Sequence, residues 1–173
     1  MYRGRKFDVK VFEAALPDGR IVIKEAVVYP GAVLILPVLR DGRIVVIRQY
    51  RAVVDNWLYE LPAGTLKPGE DPVECARREL EEETGYRAGR LIKMFEAYVA
   101  PGYSTEKIIF YLAEVVEKGS QRLDEGEVIE RVEALSLDRL LDMIRENRIN
   151  DLKTIAALLY YKAYIVGEGV SER

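Results

Sequence analysis

Residues 64–86 read GTLKPGEDPVECARRELEEETGY, and the remainder of the chain is best understood from them. Pro72 suits the first turn of a helix, residues 72–84 are strong helix formers, and Gly85 is a natural stop just beyond them. Val73, Ala76 and Leu80 fall on one stripe, which should face a sheet. The remaining positions are heavily acidic. Glu70, Asp71, Glu74, Glu79, Glu81, Glu82 and Glu83 stand against Lys67, Arg77 and Arg78, so the window carries −4 of a total of −3 and the rest of the chain is +1. On a helix Glu79 and Glu83 are i and i+4, with carboxylates on the same face, and Glu82 lies one turn from Glu79. Like charges at that spacing cost a few tenths of a kcal/mol unless something neutralises them. A hard divalent cation, Mg²⁺ or Mn²⁺, would do so through carboxylate oxygens. The alternative is a solvated acidic face laced with salt bridges.

To the N-terminal side, β patterns dominate the first sixty residues. Residues 7–14 and 20–29 read as strands around the turn Leu16-Pro-Asp-Gly19, with Pro30-Gly31 as the next break. Residues 32–39 and 43–50, joined by Arg40-Asp-Gly42, read as a hairpin in the sheet core, and residues 57–61 as a short strand. Residues 62–71, rich in Gly and Pro, read as a loop. After the helix, strand patterns return at 91–99, 107–116 and 127–135. Ser136 then caps a helix over 137–146, and Asp151 caps one over 152–166 in which Leu152, Ile155, Ala156 and Leu159 repeat at helical spacing.

Composition narrows the function. The chain has 173 residues, 49% of them hydrophobic and 32% charged, enough to bury a core within one domain. A net charge of −3 argues against nucleic acid as the main partner. The longest apolar run, Ala32–Leu39, is too short to span a bilayer, and the N-terminus shows no secretory apolar region. With a single cysteine, Cys75, a cytoplasmic location is expected. The chain has no histidine, which excludes Ser-His-Asp, Cys-His and His-ligated zinc chemistry. Asn and Gln are scarce beside Glu, Arg and Lys, as suits a thermophilic source.

The spacing Gly64, five residues, Glu70, seven residues, then Arg78-Glu79-Leu80-Glu81-Glu82-Glu83-Thr84-Gly85-Tyr86 matches the Nudix box, G-x5-E-x7-R-E-U-x-E-E-x-G-U, with Tyr86 a mild departure at the last apolar position. Seven fixed positions at roughly 7% usage each would coincide by chance about once in 10⁸ starts. The chain therefore resembles the Nudix hydrolases. The resemblance implies an α/β fold, a mixed β-sheet sandwiched between helices, preceded here by an N-terminal antiparallel strand extension over 1–31, with the hydrolase domain over 32–173. It implies Mg²⁺-dependent attack of water on a nucleoside diphosphate derivative. Glu79 and Glu83 would be principal metal ligands, Glu82 a ligand directly or through water, and the Ala63 carbonyl another. Arg78 would orient the glutamates, Glu70 would bond the loop of the box, and Gly64 and Gly85 would permit turns that a Cβ obstructs.

Pro101, fifteen residues beyond Tyr86 in Ala100-Pro-Gly-Tyr-Ser-Thr-Glu106, resembles the marker of the ADP-ribose pyrophosphatase subgroup, as do residues 46–51 (VIRQYR) and 60–64 (ELPAG). That resemblance implies substrate contacts from Arg48, Arg51, Glu60, Pro101 and Glu106. It also implies hydrolysis of ADP-ribose to AMP and ribose 5-phosphate, and a homodimer through the N-terminal strands. Tyr2, Phe7, Phe12 and Tyr29 are candidates for stacking on adenine. The general base is left among Glu125, Glu127, Asp124 and Glu106, with Glu125 activating water and Glu127 reaching a metal as the subgroup pattern. The alternatives are GDP-mannose or an oxidised nucleotide as substrate, and, from another class, a Nudix-like module that senses a nucleotide without cleaving it.

Overall fold

The computed structural model describes residues 1–123 and 125–167. Its centre is β4 (Ala32–Val38), whose sequence AVLILPV is buried on both faces and therefore shows no polar alternation. Even-numbered Leu34 and Leu36 face one layer of helices, odd-numbered Val33 and Ile35 the other. Around β4 the larger sheet runs in the order β10-β5-β4-β9-β8, with β5 (Ile44–Arg51), β8 (Tyr86–Tyr98), β9 (Lys107–Lys118) and β10 (Ile129–Leu135). The short β6 (Asn56–Glu60) pairs with β5, and β7 (Ala63–Thr65) pairs with β4. The β4–β9 ladder is parallel. The hairpin expected over 32–50 forms, but its strands pair only next to the turn, at Val38 and Ile44, and then diverge to let β7 in.

Helix α1 (Pro72–Thr84) lies on one face, with Cys75, Ala76 and Leu80 packed on Val33, Ile35, Tyr111 and Ala113. Helices α2 (Leu137–Arg145) and α3 (Leu152–Tyr160) cover the other, where Leu140, Met143, Ala157 and Leu158 meet Leu34, Leu36 and Phe110. The mixed sheet between helices is as expected. So is the N-terminal extension: β1 (Tyr2–Arg3), β2 (Asp8–Ala15) and β3 (Ile21–Val28) form a separate antiparallel sheet. The extension docks on the loop that follows β8, through Val27 N–H to the Tyr103 carbonyl at 2.8 Å and Thr105 N–H to the Val27 carbonyl at 3.0 Å.

Three local expectations need correction. Residues 63–65 are a strand, too short for alternation to reveal. β8 begins at Tyr86 rather than 91, because bulges between Arg87 and Arg90 and between Lys93 and Phe95 break the period of two. In α3 the buried side chains are Thr154, Ala157 and Leu158, whereas Leu152 and Leu159 are exposed. Thr154 turns inward because its hydroxyl is doubly satisfied, donating to Asp151 Oδ2 at 2.6 Å and accepting from Leu61 N–H at 2.9 Å. The helix ends at Tyr160 and continues as a π-helical turn over Tyr161–Val166.

Candidate active site

Helix α1 is held at both ends. The Asp71 side chain accepts from Val73 N–H at 2.8 Å, Pro72 fills the first turn, and Gly85, at φ 74°, closes the last by donating to the Glu81 carbonyl. The stripe that buries Leu80 against the sheet also turns Glu79 and Glu83 inward, to 8% and 1% exposure. That rules out a freely solvated acidic face for these two. The Glu83 carboxylate accepts from Ala63 N–H of β7 at 3.0 Å. Glu79 lies so close to β7 that a Cβ on Gly64 would stand 1.9 Å from its carboxyl carbon. Gly64 is therefore needed for that close approach, while Gly85 is needed for its positive φ.

Arg78 gathers the acids around it. Its guanidinium donates to Glu70 Oε1 at 2.9 Å, Glu79 Oε1 at 2.7 Å and Glu82 Oε2 at 2.8 Å. Glu70 also accepts from Lys67 N–H at 2.9 Å, so it ties the loop of the box as expected. The Arg78 hydrogen bonds, helped by Lys67 N–H, hold the Glu70 carboxyl down at about 2. Burial pushes Glu79 up to about 7 despite Arg78, with Glu82 and Glu127 adding repulsion. Burial likewise raises Glu83 well above the carboxylate range, against the Ala63 hydrogen bond and with further repulsion from Glu127 and Glu79. The two inward carboxylates, Glu79 and Glu83, are hard-oxygen donors of the kind a divalent cation takes. Among the described residues no three acids are already gathered into one cation-holding group, because Arg78 draws Glu79 and Glu82 toward itself while Glu83 bonds β7.

A cavity of about 730 Å³ opens in front of this helix. Arg51, Ala63, Arg78, Glu79, Glu106 and Glu127 line it. Glu60 is 1% exposed and supports Arg51 from behind, accepting from its Nε and Nη2 at 2.7 Å each. Burial pushes the Glu60 carboxyl up, but the Arg51 hydrogen bond and the charges of Lys153 and Arg51 outweigh it and hold the group ionised. Burial raises Glu106, which faces the charge of Lys153. Tyr29 also lines the cavity, its hydroxyl 2.7 Å from Thr65 Oγ1.

Other candidates lie elsewhere. Arg48 is not on the cavity wall. It pairs with Glu130 and lies over the rings of Trp57 and Tyr59, because residues 48 and 51 project from opposite faces of β5. Pro101 and Glu125 are exposed in turns outside the cavity lining. Glu82 does not line the cavity and is bonded to Arg78. Tyr2, Phe7 and Phe12 are exposed and do not line the cavity. Asp124 lies outside the described residues. Sequence reasoning missed Lys153, whose ammonium donates to Glu60 at 2.6 Å and Asp151 at 2.8 Å beside the cavity. Asp151 is visible in the sequence as a helix cap, but nothing local ties Lys153 to a glutamate 93 residues away.

Comparison with known proteins agrees with this geometry. A family model described as "NUDIX domain" matches residues 28–158. The chain is 37% identical over 163 residues to the ADP-ribose pyrophosphatase of Bacillus subtilis (strain 168), covering 92% of this chain and 87% of that protein. It is 38% identical over 162 residues to the methanol dehydrogenase activator of Bacillus methanolicus, with the same coverage of both chains. It is 34% identical over 154 residues to the GDP-mannose pyrophosphatase of Salmonella typhimurium, covering 83% of this chain and 80% of that one. A crystal structure of an ADP compounds hydrolase superposes with a TM-score of 0.83 at 26% identity, over 99% of this chain and 92% of the other.

Proposed function

The chain belongs to the Nudix family and is a Nudix hydrolase, and from that premise we propose that it cleaves the pyrophosphate of ADP-ribose, with water, to AMP and ribose 5-phosphate. The observation that carries the reading is the inward pair Glu79 and Glu83, both buried against β7, with Glu79 at the wall of a cavity that also presents Arg51. A dianionic pyrophosphate repels an approaching hydroxide, so the site must supply positive charge and orientation. Magnesium, or manganese in its place, supplies neutralisation of the diphosphate and acidification of the attacking water when bound. Glu79, Glu82, Glu83 and the Ala63 carbonyl are the oxygen donors we assign to it.

The protein's own groups do the rest. Arg51, oriented by the two-point bond to Glu60, holds a phosphate oxygen through charge-assisted hydrogen bonds. Arg78 commits its donors to Glu70, Glu79 and Glu82, so it orients carboxylates rather than substrate. We assign proton removal from the attacking water to Glu127, with Glu106 as its competitor, because both line the cavity and Glu125 does not. Tyr29 is our choice among the aromatics for the nucleoside end, since it too lines the cavity.

We further propose a homodimer through the N-terminal sheet, where Val11, Phe12, Ile21 and Ile23 are exposed apolar groups. We assign the protein to the cytoplasm, on the strength of its single buried cysteine. Among the described residues no helix is long and apolar enough to cross a membrane. The likeness to a GDP-mannose pyrophosphatase supports a second reading, in which the substrate is another nucleoside diphosphate sugar. Parallel assays of ADP-ribose, GDP-mannose and 8-oxo-dGTP with Mg²⁺ decide between them. Preferential release of AMP from ADP-ribose is expected, and a clear preference for either other compound would replace it.

A further inference from the structure

The segment that bears Glu125 and Glu127 is tied at one end to α1 and at the other to β5. Gly119 N–H donates to the Gly85 carbonyl at 2.6 Å, the Gln121 carboxamide Nε2 to the Glu83 carbonyl at 2.6 Å, and Arg122 N–H to the Glu82 carbonyl at 2.8 Å. At the far end Tyr50 N–H donates to the Val128 carbonyl at 2.9 Å. The carbonyls of Glu82 and Glu83 are among those a helix leaves without partners in its last turn. The acid-bearing segment therefore caps the helix whose side chains it opposes. Gly85 makes the approach possible, since a Cβ there would stand 3.1 Å from both Gln121 N and the Gly119 carbonyl.

Glu127, carried by this segment, lines the same cavity as Glu79. Of the three bonds at the α1 end, two use backbone N–H groups that any residue supplies. The third depends on a side chain, and only one that carries a donor at that reach can make it.

We infer that Gln121 is a positioning residue: by donating to the Glu83 carbonyl it sets where the Glu127-bearing segment lies over the inward glutamates of α1. The inference rests on the hydrolase reading for its kinetic consequence only. Gln121 touches neither substrate nor reacting atoms, and it acts through Glu127.

The test compares wild type with Gln121→Ala and with Gln121→Glu, which keeps the shape but offers only acceptors. Native-state hydrogen exchange is read at the amides of Arg122 and Tyr50, which bond the Glu82 and Val128 carbonyls at the two ends of the segment, and steady-state kinetics on ADP-ribose with Mg²⁺. Both variants are expected to exchange about tenfold faster at Arg122 and Tyr50, while the amide of Leu80 in α1 is unchanged. The kcat should fall about tenfold with KM within twofold, since the segment's placement and not substrate affinity is lost. Unaltered exchange at Arg122 and Tyr50 in both variants would overturn the inference, as would faster exchange with kcat intact. If wild type hydrolyses no nucleoside diphosphate, the hydrolase reading fails, and the exchange measurement still decides whether Gln121 holds the segment.

Discussion

Helix α1 carries two kinds of glutamate, and their fates are opposite. Glu74 and Glu81 point outward, their side chains 70% and 40% exposed, with Arg77 and Arg87 for company. The Arg87 hydrogen bond lowers Glu81 in the ordinary manner of a surface pair. Glu79 and Glu83, on the same helix and four residues apart, are buried, repelled by Glu127 and raised in pKa. The residue type is the same, so the difference is position: one stripe of α1 is pressed on β7 and β4 by Leu80, Ala76 and Cys75. Packing here holds carboxyl groups where ionisation is costly, and the divalent cation we propose for the site would offset that cost.

Removing an inward charge should have the largest consequence. Glu83→Gln should lower kcat by roughly 10³-fold, with no loss of thermal stability, because Gln keeps an acceptor for the Ala63 N–H and removes a carboxyl whose ionisation burial disfavours. Steady-state kinetics and a melting curve of the same sample check both halves, and a Glu83 variant that turns over normally would erase the distinction between inward and outward acids.

Gly64→Ala should come next, at roughly 10²-fold in kcat, because the new Cβ displaces the Glu79 carboxylate while leaving its chemistry intact. An unchanged kcat in this variant would mean that Glu79 need not lie against β7.

Stability against pH separates the two kinds of acid further. A carboxyl whose folded pKa is raised binds more protons folded than unfolded, so its stabilisation is present at low pH and lost as pH rises. For Glu79, raised to about 7 from 4.5, the metal-free protein should lose on the order of 3 kcal/mol between those values. Glu70 runs the other way, its contribution present above its ordinary pKa and lost as pH falls toward about 2. Urea titrations in chelator across pH 4–8 measure the first, and added Mn²⁺ should flatten it. The smallest effect belongs outside: Glu81→Gln should leave kcat within twofold and shift stability by less than about 1 kcal/mol.

The helix and its acids are legible in the amino-acid sequence. The spacing of Gly64, Glu70, Arg78, Glu79, Glu82, Glu83 and Gly85 points to the helix, its ends and its inward face, because one helix is a local object whose faces follow from a period of 3.6. The caps at Ser136 and Asp151 are visible for the same reason. What escapes such reading depends on partners far along the chain. Arg51 and Arg48 look alike within VIRQYR, and the sequence does not say which face of β5 will be the cavity wall. Lys153 joins the site through Glu60, a contact between the end of β6 and the first turn of α3, 93 residues apart. The inward turn of Thr154 follows from Leu61 N–H and Asp151, which hydrophobic spacing alone does not register.

If the inward glutamates of α1 are held for a divalent cation, a calorimetric titration of Mn²⁺ into the protein, alongside Glu83→Gln, must show it without reference to any substrate. Saturable binding below roughly millimolar concentration in wild type, weakened at least tenfold in the variant, is the expected result. Equal binding in both proteins, or none in either at millimolar Mn²⁺, would contradict it.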